Sequence, residues 1–189
     1  MTDKRFNPAK ANVLMSADRE KLLPPDQIIG HLDIQSNDTI ADLGAGNGYF
    51  AIPMAQSTKQ FVYAVDIEPK MLEMLKENAD QEQLENITYV ESDLDRIQLD
   101  GESVNKVMIS LVLHEVPNLD KTLSEIKRIL KPGGEILIIE WEAIQTEAGP
   151  PLHHRIASEE MADVLEKNGF DAEVIPLNPY YAVKARVKE

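Results

Sequence analysis

Cysteine is absent from the 189 residues, which excludes a disulfide framework, a thiolate metal site and a thiol nucleophile. Positive charge is scarce: 19 Lys and Arg stand against 33 Asp and Glu, a net charge of −14. Nucleic-acid binders present basic patches to phosphates, whereas the nearest approach to a cluster here is Lys127-Arg128 with Lys131. A nucleic-acid partner is disfavoured, and the acidity needs no role beyond solubility. No apolar run approaches the roughly 20 residues of a membrane span, so no membrane partner is expected. Met1 to Pro8 lack the apolar core of a signal peptide, and a cytoplasmic location is the expectation. The histidines show no H-x-x-x-H or H-E-x-x-H spacing, and adjacent ones such as His153 and His154 rarely ligate one ion, so no metal is expected. A G-x-S-x-G nucleophile motif is also missing. What remains is 43% hydrophobic and 28% charged, the composition of a soluble protein with one sizeable core.

The chain is organised around Thr39-Ile40-Ala41-Asp42-Leu43-Gly44-Ala45-Gly46-Asn47-Gly48. A short apolar strand ends in an acid and runs into a glycine-rich turn, and a helix is expected from Tyr49 to Ala55. Strand, glycine turn and helix together form a cofactor-binding corner. The glycines accept positive φ and let a ligand press on the backbone, and the helix N-terminus behind them offers unpaired N–H groups. A dinucleotide motif G-x-G-x-x-G would require glycine at position 49, where Tyr49 stands. The Asp42 carboxylate would also repel a diphosphate crowded against this backbone and would welcome an ammonium and a sulfonium. S-adenosylmethionine (SAM) carries both and has no phosphate.

At these residues the sequence resembles the class I SAM-dependent methyltransferases of the type 11 kind, whose first motif is an apolar strand, an acid and G-x-G-x-G. Two further stretches carry the resemblance. Leu111-Val112-Leu113-His114-Glu115 is similar to the segment after the fourth strand of small-molecule methyltransferases, and Arg128-Ile129-Leu130-Lys131-Pro132-Gly133-Gly134-Glu135-Ile136-Leu137-Ile138-Ile139-Glu140-Trp141 to the family's entry into strand five. The match covers about residues 38 to 187. It implies an α/β fold with a Rossmann-like seven-stranded sheet, mostly parallel with an antiparallel last strand, and helices on both faces. A single domain over 1–189 is expected, with 1–35 a helical extension and 36–189 the SAM-binding core.

The resemblance also implies roles. Asp42 and the backbone of Gly44, Ala45, Gly46, Asn47 and Gly48 would hold the methionine end. The continuous apolar run Phe61–Val65 suits a strand buried on both faces; Asp66 at its exit, with Ile67 beside it, would meet the ribose. Asp93 and Leu94 would meet the adenine, with Asp95 a rival for Asp93. Ser110 would lie against the cofactor at the exit of strand four. His114 has two readings: the general base, which its ordinary pKa of about 6.5 suits, or a histidine that orders its loop by hydrogen bonding. Trp141 and the loop with His153 and Arg155 would face the acceptor. The absence of cysteine separates the sequence from thiol-dependent arsenic methyltransferases with the same motifs.

The expected activity is transfer of a methyl group from SAM to a small-molecule acceptor by in-line displacement, leaving S-adenosylhomocysteine. A non-catalytic SAM-binding module and an NAD-dependent oxidoreductase stand as alternatives. Several local expectations complete the reading. Asn7-Pro8 opens a leading helix with Val13 and Leu14 on its apolar side; this leading segment either lids the site, with Arg5, Phe6 and Arg19 as candidates, or merely packs. Pro24-Pro25 breaks the chain before a short helix over 27–32, strand three runs over 88–93 and strand four over 106–110. Strand five starts at Glu135 after Pro132-Gly133-Gly134, Ser158 caps the helix that follows, and 171–176 and 180–187 form a terminal hairpin.

Overall fold

The computed structural model describes residues 17–188. The expected helix from Asn7-Pro8 and the lid candidates Arg5 and Phe6 lie outside the described residues.

Continuous apolar runs become interior strands. β1 (Ile40–Leu43) is buried along its whole length. β2 (Val62–Asp66) and β3 (Ile87–Glu91) lie to one side of it, and β4 (Val104–Ser110) and β5 (Leu130–Trp141) to the other, all parallel. β6 (Phe170–Leu177) and β7 (Tyr180–Val187) form the expected terminal hairpin, and β7 runs antiparallel to both β5 and β6. The sheet order is β3-β2-β1-β4-β5-β7-β6. Connections leave β1 in opposite directions, so the carboxyl ends of β1 and β4 flank the topological switch point, where open α/β sheets bind ligands.

Each strand alternates between two cores. In β4, Val107 and Ile109 face one layer and Met108 the other. The first layer is filled from α2 (Pro25–Gly30), α3 (Ala51–Ser57) and α4 (Pro69–Gln81), including Ile28, Met54 and Leu75. The second is filled from α5 (Leu119–Ile129) and α6 (Ser158–Lys167), including Leu123, Ile126, Met161 and Leu165. In α4, Met71, Leu72, Leu75 and Ala79 are buried at helical spacing. A short helix, α1 (Ala17–Leu22), precedes α2.

Boundaries moved where local chemistry differs from the pattern. α2 starts at Pro25 itself, because a residue without an N–H loses nothing in the first turn. β3 ends at Glu91, and β4 starts at Val104. β5 already begins at Leu130, which pairs with Val104; the ladder then shifts register, Gly133 takes φ +74°, and pairing resumes at Lys106 with Glu135. Ser158 does not cap α6 with its side chain. Its N–H instead donates to Glu142 Oε1 at 3.2 Å, so the carboxylate that serves this helix comes from the exit of β5.

Candidate cofactor and acceptor site

The glycine turn is built as the motif demands. Gly44, Gly46 and Gly48 take φ of +74°, +54° and +98°, angles that side-chain-bearing residues rarely adopt. The Gly44 and Ala45 N–H groups donate to the Val65 carbonyl at 2.8 and 3.0 Å, folding the turn back onto β2. A Cβ on Gly44 would lie 2.4 Å from Val112 Cγ2, so the loop after β4 rests directly on the turn. Asn78 of α4 steadies the far side by donating to the Asn47 carbonyl at 2.9 Å.

Two acids flank the turn. Asp42 is buried at the end of β1, and Asp66 at the exit of β2 accepts from Gly46 N–H at 2.8 Å and Glu68 N–H at 2.9 Å. Burial first, then the charge of Asp66, push the Asp42 pKa up to about 7. Burial also raises Asp66, against the N–H bonds that favour its charge. A corner whose two carboxylates hold their protons more tightly than usual favours a cation and disfavours a further anion. SAM fits this corner by charge, and a diphosphate does not. Ile67, next to Asp66, leaves its large apolar side chain 40% exposed at the rim.

Asp93 and Asp95 differ in their surroundings, and Asp93 Oδ1 itself accepts from the Asp95 N–H at 3.0 Å. Asp95 Oδ1 accepts from Thr122 Oγ1 of α5 at 3.2 Å, and its carboxylate lies 3.8 Å from Lys121 Nζ. Asp93 is exposed, with Leu94 buried behind it, and the Ser92 N–H ties this exit to the Asp66 carbonyl at 3.0 Å. Ser110 is buried at the end of β4, and its Oγ has no hydrogen-bond partner among the described residues. Leu111 follows with φ +59°, a strained angle for a bulky residue placed where the chain turns over the site.

His114 stands beyond this turn, bonded to a buried acid. Its Nδ1 lies 2.8 Å from Glu140 Oε2, and its backbone N–H reaches Glu140 Oε1 at 3.3 Å. Glu115 Oε1 lies 3.7 Å from Nε2. Burial opposes the imidazolium, but the hydrogen bond and charge of Glu140, with Glu115, outweigh it and raise the His114 pKa. The Trp141 N–H also approaches Glu140 Oε2 at 3.3 Å, so one carboxylate joins His114 to the start of the loop after β5.

Trp141 packs against Tyr180 at 4.3 Å between ring centroids and beneath the Arg155 guanidinium at 4.9 Å. Arg155 uses every N–H donor within its own loop: on the carbonyls of Pro150, Glu142, Ile144 and Ala148 and on Thr146 Oγ1. The guanidinium thus clamps the loop rather than presenting donors outward. His153 is exposed, 4.3 Å from the His154 ring. Tyr49, which interrupts the dinucleotide pattern, donates its hydroxyl to the Leu23 carbonyl at 2.8 Å and lies under Arg19 at 4.4 Å. Arg19 of α1 is thereby packed onto the glycine corner.

A family model described as a methyltransferase domain matches residues 34–174. The chain belongs to the SAM-dependent methyltransferase family. Among its curated relatives are ubiquinone/menaquinone biosynthesis C-methyltransferases UbiE. That of Acidiphilium cryptum is 27% identical over 130 residues, covering 68% of this chain and 52% of that protein. That of Brucella anthropi is 33% identical over 103 residues, covering 54% and 39%. The chain spans about half the length of these relatives. A solved SAM-dependent methyltransferase from Aquifex aeolicus superposes with a TM-score of 0.90 at 25% identity, over 96% of this chain and 98% of that one. No finding supports the NAD-dependent oxidoreductase or the non-catalytic module. Among the described residues no helix of this methyltransferase is long and apolar enough to cross a membrane.

Two residues of the methyltransferase site escaped the sequence reading in their structural part. Glu140 had a signal: like Asp42 and Asp66, it is an acid at the carboxyl end of an apolar strand. Arg19 is a lid candidate in the sequence, but nothing near it there announces the ring of Tyr49 as its partner.

Proposed function

We propose that this methyltransferase transfers a methyl group from SAM to a small-molecule acceptor in the cytoplasm, using the whole chain as one domain. The observation that carries this reading is the pair of acids, buried Asp42 and half-buried Asp66, around a positive-φ glycine turn at the switch point of the sheet. SAM supplies a methyl group already activated by a positively charged sulfur. Asp42 and the turn from Gly44 to Gly48 hold the methionine end by charge and close backbone approach. Asp66 accepts from the ribose hydroxyls, Ile67 and Leu94 give the adenine apolar cover, and Asp93 accepts from its amino group. Ser110 offers its buried hydroxyl to the cofactor at the exit of β4.

Trp141 and His153 line the acceptor side, and Arg155 keeps their loop in shape. His114 takes the acceptor's proton. The protein's remaining task is alignment and exclusion of water, which is worth several kcal/mol in itself. The names of the curated relatives favour carbon as the methylated atom. The net charge of −14 disfavours a nucleic-acid acceptor.

Calorimetric titration with SAM, S-adenosylhomocysteine and NAD, beside Asp66→Ala, tests the reading. SAM is expected to bind and NAD not to. Loss of the charge-assisted bonds at Asp66, each about 1.5–3 kcal/mol, weakens SAM binding roughly 10- to 100-fold. Absence of SAM binding by the folded wild-type protein overturns the reading.

A further inference from the structure

His114 and Glu140 form a buried pair at the carboxyl ends of two adjacent strands, with side chains 7% and 1% exposed. Among the described residues Glu140 has no Lys or Arg partner within salt-bridge distance. Its charge is met by the imidazole and by the N–H groups of His114 and Trp141. A loop that needed only a hydrogen-bond acceptor here could use a neutral amide, which is far cheaper to bury than a carboxylate. A carboxylate on Nδ1 fixes the ring tautomer, puts the proton on Nδ1 and leaves Nε2 as the proton acceptor.

We propose that Glu140 is the positioning carboxylate of His114, and that the pair selects acceptors that lose a proton as they are methylated: phenols and enolisable carbon acids. This deepens the methyltransferase reading and rests on it. In the step, the acceptor's O–H bond breaks and its proton passes to His114 Nε2. The electron pair released on the acceptor, at oxygen or at the conjugated carbon, forms the new bond to the methyl carbon. The bond from that carbon to sulfur breaks, and its pair stays on sulfur. For methylation at carbon, the proton still held by the newly methylated carbon then leaves to water and restores the enol. The imidazolium sits between Glu140 of β5 and Glu115 of its own loop, and returns its proton to solvent past the half-buried Glu115. The other charged and titratable groups acting here are Arg155, ahead of α6, which opposes the imidazolium, and Tyr181 of β7, which faces Glu140.

The test combines spectroscopy with turnover. Imidazole nitrogen NMR of the wild type, Glu140→Gln and Glu140→Asp reads the tautomer and pKa of His114 without any substrate. S-adenosylhomocysteine release is then followed with SAM and a panel of simple phenols, 1,3-diketones, amines and thiols. The wild type is expected to show the Nδ1–H tautomer and to methylate a phenol or diketone, with kcat/KM rising through the pKa that NMR gives for His114. In Glu140→Gln that pH limb moves to lower pH and kcat falls roughly 100-fold or more, while SAM affinity by calorimetry stays within about threefold. Glu140→Asp recovers part of the rate and guards against a folding defect in the amide variant. An Nε2–H tautomer, an unshifted limb in Glu140→Gln, or turnover of amines or thiols alone overturns the proposal, as does turnover of none of the panel by protein that binds SAM. Wild-type protein that does not bind SAM instead fails the methyltransferase reading itself.

Discussion

β5 buries a glutamate near each end of its regular pairing, and the two are solved in opposite ways. At the entry, Glu135 is surrounded by Lys106, Lys184 and Arg186, drawn from the strands on either side. Burial works against its charge, but those cations hold its pKa below the usual carboxylate range. At the exit, Glu140 has an imidazole and backbone N–H groups. The same side chain on the same strand is neutralised by fixed charge at the amino end of the sheet, and left with a partner that titrates at the carboxyl end. On the proposed reading the difference separates a pole that holds the fold from a pole that does chemistry, as expected when ligands bind outside the carboxyl ends of parallel strands.

The sharpest way to break this comparison is to remove the charge at the stability pole. Glu135→Gln leaves Lys106 half-buried without its counter-ion, and should lower the unfolding free energy by about 3 kcal/mol at pH 7 in urea titrations. That is the lower end for a buried pair, because Arg186 and Lys184 reach solvent. SAM affinity should stay within twofold; a large loss of affinity would erase the distinction between the poles. The Glu135 contribution has a defined pH window. Its folded pKa is depressed, so its stabilisation is present above about pH 4.5 and is lost as pH falls through the folded value.

Asp42 at the functional pole should respond with the opposite sign. Its pKa is raised from 3.8 to about 7, so the folded state binds its proton more tightly, and stability falls as pH rises from about 4 to about 7. Asp42→Asn should therefore gain roughly 2 kcal/mol at pH 8, a gain that vanishes near pH 4. The same change should weaken SAM binding about tenfold. An Asp42→Asn variant that is both less stable and equally good at binding SAM would contradict the assignment.

A proton should also mark cofactor binding. A cation held by Asp42 favours the ionised carboxylate, so SAM affinity should rise with pH up to about 7, by up to about tenfold per unit, and level off above it. Calorimetry in buffers of different ionisation enthalpy reads the proton released at pH 6. The smallest effect is expected at the acceptor loop. Arg155→Lys removes the planar set of donors that holds the carbonyls of Ile144 and Ala148, and should cost about 1 kcal/mol. Faster amide exchange over 144–149 with an unchanged exchange rate in β4 is the expected signature.

Much of this division was legible in the order of the residues. Acids that end apolar strands announced Asp42 and Asp66, and the three motifs in their order announced the sheet and its terminal hairpin. What stayed hidden depends on distance along the sequence. Glu140 and His114 are 26 residues apart, and no local pattern says which acid meets the ring. Arg155 read as facing the acceptor because a sequence shows a charge but not where its donors end, which is within its own loop. Ser158 read as a cap because capping statistics favour serine, while a carboxylate from Glu142 reached the helix first. Asp93 and Asp95 look alike in the sequence, and the bond from Thr122 of α5 to Asp95 appears only in the fold.

The contact between Gly44 and Val112 has a consequence for how such a protein changes over generations. With 2.4 Å between the missing Cβ and the valine methyl, the loop after β4 is seated directly on the glycine turn. Position 44 is closed to larger residues twice over, by Val112 and by its own φ of +74°. A change on one of the two loops is therefore felt by the other, and on the proposed reading the acceptor side has more freedom to vary at His114 or Trp141 than at this latch.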